Sequence, residues 1–233
     1  MKEHIYAFEI NDGFNKKDGT CPFCSIFAKL EDAELDLILG PSMMEPDVRI
    51  VTNKKGFCPD HYRKMFPRKN RLGMALTMES HLDELKKDIR PAGILSKDPA
   101  SKSLSRIAEL EKTCYVCDRL EEKFHRVLAN AADMYAEESE FRKKFREQTF
   151  FCLPHYRQFL ETAVKCLNRK DYTQLAEDAV KIESAALDKL KNDISWFCKK
   201  FDFNYENEPW YDSKDAVERA IRFLSGIVEL NTK

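Results

Sequence analysis

One set of metal-ligating residue types occurs twice in this chain. Cys21-Pro-Phe-Cys24 is followed by Cys58-Pro-Asp-His61, and Cys114-Tyr-Val-Cys117 is followed by Cys152-Leu-Pro-His155. The first and third cysteines lie 37 positions apart in one copy and 38 in the other. That near match points to duplication of one unit. A CxxC turn brings two sulfurs within reach of one ion, and a CxxH turn adds a third thiolate and an imidazole in one compact step. Three thiolates and one imidazole are the donor set of a structural zinc site. The expectation is two zinc ions per chain, held by Cys21, Cys24, Cys58 and His61 and by Cys114, Cys117, Cys152 and His155. Internal pairing is preferred because it closes the shorter loop. The crossed arrangement, Cys21 and Cys24 with Cys152 and His155, stays open.

The competing reading is that these cysteines are small buried hydrophobes. One CxxC would leave that reading competitive; two full four-ligand sets at matching separation argue against it. A thioredoxin-like redox motif is disfavoured because no βαβ pattern surrounds either copy. An iron–sulfur cluster is compatible with three cysteines and a histidine, but zinc suits the set better. Four protein ligands leave no open position for water or substrate, so His61 and His155 read as structural ligands rather than catalytic groups.

Composition supports a helical frame. Gly and Pro number only 7 and 9, and helix-forming Leu, Ala, Glu and Lys are plentiful. The chain of 233 residues, 43% hydrophobic, can bury a full core. Its 39 basic and 40 acidic residues give no global basic field for nucleic acid or anionic lipid. The start, MKEHIYAFEIND, lacks the apolar region of a signal peptide, and no run of 18 apolar residues occurs. Both point to a cytoplasmic protein without a membrane segment, whose eight cysteines are reduced thiols.

Hydrophobic periodicity organises the rest. Phe23, Ile26, Phe27, Leu30 and Leu37 mark a helix that Gly40-Pro41 ends. The stretch PSMMEPDVRIVTNKKGF reads as irregular, with a short strand at Val48 to Thr52. Pro59 starts a helix whose face is Tyr62, Met65 and Phe66. A helix from Leu72 to Ile89 directs Leu76, Met78, Leu82 and Leu85 at the core. RPAGILSKDPASKS, residues 90 to 103, reads as a linker between a unit at 1–95 and a unit at 104–233, with packing of the two as one domain left open. The second unit holds a helix over Val116 to Ala136, striped by Leu120, Phe124, Val127, Ala131 and Tyr135, then one at Ser139 to Glu147. Tyr156, Phe159, Leu160, Ala163, Val164 and Leu167 stripe the next. A long helix from Asp171 to Lys200 buries Leu175, Ala179, Ile182, Ala186, Leu190, Ile194 and Phe197. Asp212 or Ser213 caps a last helix, with Val217, Ala220, Ile221, Leu224 and Val228 on its apolar side.

Residues outside the motifs have plain readings. His4, His81 and His125 have no partner at ligand spacing, and Cys166 and Cys198 read as buried thiols. Cys166 also has a minor reading as an alternate ligand of the second site. Basic residues at Lys54, Lys55, Arg63, Lys64, Arg68, Lys69 and Arg71, and at Arg142, Lys143, Lys144, Arg146 and Arg157, read as a solvated face rather than an anion surface. The aromatics from Trp196 to Tyr211 read as packing under a connection. No P-loop, dinucleotide fingerprint, GxSxG or HExxH is present.

The segments CPFC, LGPSMMEPDVRIVTNKKGFC, HYRK and NRLGMAL resemble an uncharacterised bacterial family known only as a domain of unknown function. CYVCDRLEEKF, FFCLPHY, KFDFNYENEPW and KDAVERAIRFLSG are similar to its second half, so the resemblance spans nearly the whole chain. It implies a bacterial cytosolic protein built on the two CxxC and CxxH pairs, and it brings no activity. The combined expectation is an all-α fold of two zinc-clipped helical repeat units with long C-terminal helices. The expected role is a non-enzymatic scaffold binding a protein or small-molecule partner. A thiol-based redox or metal sensor is the second reading. The third is an enzyme with a pocket away from zinc, lined by Glu45, Asp47 and Arg49; the segment PSMMEPDVR, longer and less regular than a connector needs, is the first candidate for a functional surface.

Overall fold

The computed structural model describes residues 5–16, 18–91 and 98–226. Among them every regular element is a helix: α1 Ala7–Asn15, α2 Pro22–Leu39, α3 Pro46–Lys55, α4 Pro59–Met65, α5 Arg71–Asp88 and α6 Ser101–Leu110. The order continues with α7 Tyr115–Glu137, α8 Ser139–Arg146, α9 Leu153–Cys166, α10 Arg169–Lys199 and α11 Ala216–Ser225, with single 3-10 turns at Pro41–Met44, Phe203–Tyr205 and Tyr211–Ser213. None of these helices is long and apolar enough to cross a membrane. His4, Val228 and part of the 90–103 linker lie outside the described residues.

The chain forms two compact units. One combines 1–28 with 125–233; the other is 29–124. The first unit is built on phenylalanine: Phe14, Phe23, Phe141, Phe145, Phe151 and Phe159 are buried together, with ring centroids mostly 5 to 6 Å apart. Aromatic pairs at such distances add about 0.5–1.5 kcal/mol beyond their area. The α7 stripe is buried as its periodicity requires, Tyr135 included. On α10 Leu175, Ala179 and Ile182 are buried, while Ala186, Leu190, Ile194 and Phe197 are only partly covered. Lys200 donates to the carbonyls of Tyr205, Glu206 and Glu208 and so folds the aromatic connection; Phe201, Phe203 and Tyr211 remain exposed.

In the second unit α3 packs on α5. Residues 48–52 are helical, not a strand. Pro46 stands in the first turn of α3, Lys54 and Lys55 in its last, and Gly56 ends it at φ 60°. These signals outweigh the β-branched Val-Arg-Ile-Val-Thr run. The α5 core face is also corrected: Gly73, Met74, Thr77 and His81 are buried, whereas Met78 and Leu82 are exposed. A Cβ at Gly73 would stand 2.4 Å from the Leu39 carbonyl oxygen, so glycine sets this close approach. Thr77 Oγ1 donates to the Gly73 carbonyl, and His81 Nδ1 meets the Asn53 carbonyl at 2.8 Å, so both polar groups are satisfied. The last helix starts at Ala216 behind Asp215, with no side-chain cap from Asp212 or Ser213.

Candidate metal centres

The four N-termini that carry the motifs are α2, α4, α7 and α9. Cys21 precedes α2 and Cys24 lies in its first turn; Cys114 and Cys117 stand likewise on α7. Cys58 and Cys152 are the extended N-cap residues of α4 and α9, each followed by a proline at one of the first two positions. A helix N-terminus favours thiolate over thiol through its dipole and its unsatisfied N–H groups.

The structure assembles the ligands across the repeats. Cys21, Cys24, Cys152 and His155 form one cluster and Cys58, His61, Cys114 and Cys117 the other, with the donor atoms of each set within 4.8 Å of one another. The internal pairing expected from loop length is therefore corrected to the crossed one. The entropy that favoured it amounts to only about 1–2 kcal/mol. Burial of a few phenylalanines outweighs that.

In the first cluster, Cys24 Sγ lies 3.5 Å from Cys152 Sγ. His155 Nδ1 lies 3.3 Å from Cys24, 3.2 Å from Cys152 and 4.0 Å from Cys21. In the second, His61 Nδ1 lies 3.2 Å from Cys58 and from Cys114 and 3.4 Å from Cys117, and Cys58 Sγ stands 3.9 Å from Cys117 Sγ. A tetrahedron with ordinary zinc–ligand bonds has edges of about 3.8 Å between sulfurs and about 3.5 Å between sulfur and nitrogen. Both sets approximate those edges, so each can hold one metal ion. Cys166 and Cys198 belong to neither set and are exposed rather than buried.

The surroundings differ. Cys21, Cys24 and Cys152 are buried, and His155 faces the Phe23 and Phe27 rings at 6.4 and 6.1 Å. Gly226, at φ 89°, brings its backbone over this cluster; a Cβ there would sit 3.7 Å from both Cys24 and Cys152 Sγ. Behind it, Glu183 Oε1 accepts the Phe151 N–H at 2.6 Å and so fixes the approach to Cys152. Burial is the main cause that raises the Glu183 carboxyl, to about 7. Hydrogen bonds from Cys21 and Cys24 pull the Cys152 thiol down to about 4, and the same sharing pushes Cys24 up.

In the second cluster Cys117 is exposed and Cys58 half-buried. Glu31 Oε1 stands 3.2 Å from His61 Nε2, at ion-pair distance without full hydrogen-bond alignment, and Glu31 Oε2 takes Lys64 Nζ at 2.6 Å. A carboxylate behind a ligating imidazole orients the ring and strengthens it as a donor. Burial opposes charge on His61, but Cys114 and Glu31 carry its ring up to about 10. The His61 contact, foremost, holds the Glu31 carboxyl below its ordinary range. Burial likewise opposes ionisation of Cys114, yet His61 and the Cys117 and Cys58 backbones bring it down to about 6.

This second cluster is set by the end of α3. His81 Nδ1 and Arg106 meet the Asn53 carbonyl at 2.8 and 3.2 Å, and Arg106 also takes Lys54 O at 2.6 Å. Thr113 Oγ1 donates to Lys55 O at 2.8 Å, and the Tyr115 N–H to Gly56 O at 3.0 Å. The orphan carbonyls of one helix thus tie the strandless turn before Cys58 to the turn holding Cys114. Glu31, Arg106, Thr113, Glu183 and Gly226 carry no spacing signal and were not legible as site residues.

Many of the flagged cations are engaged: Lys55 with Asp118, Arg63 with Asp60, Arg68 with Asp32 and Asp36, Arg146 with Asp178 and Arg157 with Glu161. Arg49 Nη2 donates to the Leu76 carbonyl at 3.0 Å, while Glu45 and Asp47 are exposed at the start of α3.

With this geometry in place, the chain is an all-α protein with two four-residue Cys/His clusters able to hold metal. It belongs to the family of unknown function DUF6062, whose model matches residues 1–231. No curated protein and no solved structure matches it.

Proposed function

We propose that this protein holds two zinc ions as structural cross-links and serves as a non-enzymatic scaffold that presents its helical surfaces to a partner. The observation that carries the reading is the donor geometry: four protein ligands at near-tetrahedral spacing in each cluster. Such a shell is complete, so the ion holds helix starts together instead of activating water. Cys21, Cys24, Cys152 and His155 would hold one ion, and Cys58, His61, Cys114 and Cys117 the other. Purified under reducing, metal-replete conditions, the chain should contain two zinc ions by elemental analysis. One ion, none, or iron in their place would overturn the reading.

A sensor reading is favoured by one specific observation: Cys117 is exposed and its sulfur stands 3.9 Å from Cys58 Sγ. A peroxide would oxidise one thiolate to a sulfenic acid and release hydroxide. The second thiolate would then displace a further hydroxide and form the disulfide, and zinc would leave. Reversible release of one ion by mild peroxide, with Cys58 and Cys117 joined, would put this reading ahead.

A further inference from the structure

α5 has two apolar faces, and among the described residues one is buried while the other is largely exposed. Gly73, Met74, Thr77 and His81 form the buried face. The other carries Ala75, Met78, Leu82 and the half-buried Leu85, with Ile89 at the C-cap, spaced three, four, three and four residues apart. Met78, Leu82 and Ile89 are 37%, 63% and 53% exposed. Alternating three- and four-residue spacing is the seam of one helix packing along another. The helix is already formed by packing on α3, so a partner would not bear the cost of nucleating it.

Charge on the outer flank names the partner. Glu79 and Lys86 are seven residues apart, two turns along α5, on the same side of the stripe. Both are exposed, and neither side chain makes an ion pair or hydrogen bond among the described residues. Elsewhere on α5, Glu84 pairs with Lys87 and Asp88 with Lys102 and Arg106. When a second α5 is laid antiparallel, Leu82 of each copy meets Leu85 of the other, and Met78 meets Ile89. In that same register Glu79 of each copy falls opposite Lys86 of the other. Apolar layers and both charge pairs are satisfied by one two-fold axis, which is the requirement of an isologous interface.

We propose that α5 is a self-association surface on which two copies of this chain pair antiparallel through Met78, Leu82, Leu85 and Ile89, with Glu79 and Lys86 setting the register. This surface involves no metal ligand and is independent of the zinc reading.

The test measures the mass of the full-length, zinc-loaded chain in reductant by sedimentation across a concentration series. The result expected is a rise toward twice the 27.2 kDa chain mass. Leu82→Glu should weaken the dimer at least about tenfold. Leu187→Glu, at an exposed apolar position on α10, should leave the mass unchanged. Glu79→Lys and Lys86→Glu should each weaken association, their combination in one chain should restore it, and a mixture of the two single variants should form the mixed dimer. A monomer at every concentration would overturn the proposal, as would a double reversal that fails to restore the dimer. A Leu82→Glu chain with lowered melting temperature and unchanged mass would show that the chain itself covers the stripe. Equal dissociation by Leu187→Glu would show that the contact lies elsewhere.

Discussion

Cys21, Cys24 and Cys152 are all buried, the last two beside the Gly226 backbone, whereas Cys117 is exposed and Cys58 half-buried. The donor sets are the same, so the difference lies in what each fold region places around them. The first centre sits at the edge of a phenylalanine core and uses Glu183 to hold the chain entering Cys152. The second sits where polar groups meet, with Glu31 and Lys64 behind His61 and Arg106 and Thr113 on the turns. Duplicate ligand sets therefore need not have duplicate lability. A sulfur reached by solvent exchanges metal and meets oxidants; a sulfur under packed backbone does so only after local opening.

The largest test of this contrast compares Cys152→Ser with Cys117→Ser. Each should lose one zinc, but the first opens the buried centre and should cost about 5 kcal/mol or more. The second should cost less than half as much. Thermal unfolding with zinc analysis decides it, and equal melting shifts would end the distinction. Next, Glu31→Gln should lower zinc affinity of the second centre by about 10- to 100-fold, leaving the first unchanged. Competition with a graded series of chelators reads both ions separately.

A smaller effect is expected at Glu183. Its folded value, about 7, is raised above the ordinary glutamate value, so the folded chain holds a proton that the unfolded chain releases. Its contribution is greatest below the unfolded value and falls as pH rises through about 7. Glu183→Gln keeps the acceptor for Phe151 and removes that loss. Its stability relative to the parent should therefore improve from pH 5 to pH 8, by about 1–3 kcal/mol, in denaturant titrations. A constant difference across that range would contradict the assignment. The smallest effect belongs to Cys198→Ala, an exposed thiol outside both sets; its unfolding free energy should match the parent within about 0.5 kcal/mol.

Much of this was legible where one pattern had no rival. The α7 stripe from Leu120 to Tyr135 is long and regular, and it is buried as read. The eight ligand types stood out by spacing, but their partners did not, because loop closure discriminates weakly between pairings. α5 misled for a different reason. Its more apolar face, Met78 and Leu82, is exposed, and its core face includes a histidine and a threonine made acceptable by local hydrogen bonds. Hydrophobicity ranks faces by composition and cannot see that Asn53 would offer its carbonyl to His81. α3 departs from the strand expected at 48–52 because branched residues pull toward strand, while Pro46 and Gly56 carry the stronger signal at the ends.

The crossed pairing also orders the making of the protein in time. The inner set runs from Cys58 to Cys117 and lies wholly within the outer set, which runs from Cys21 to His155. On a ribosome the inner ligands are all synthesised while Cys21 and Cys24 still wait for their partners. At about 5–20 residues per second, that wait lasts on the order of ten seconds. During it the earliest CxxC is an open two-thiol site beside an already closable one. The nascent chain must keep that pair reduced and unclaimed until the last ligand emerges, so the most deeply covered centre in the finished molecule is the one longest uncovered at its birth.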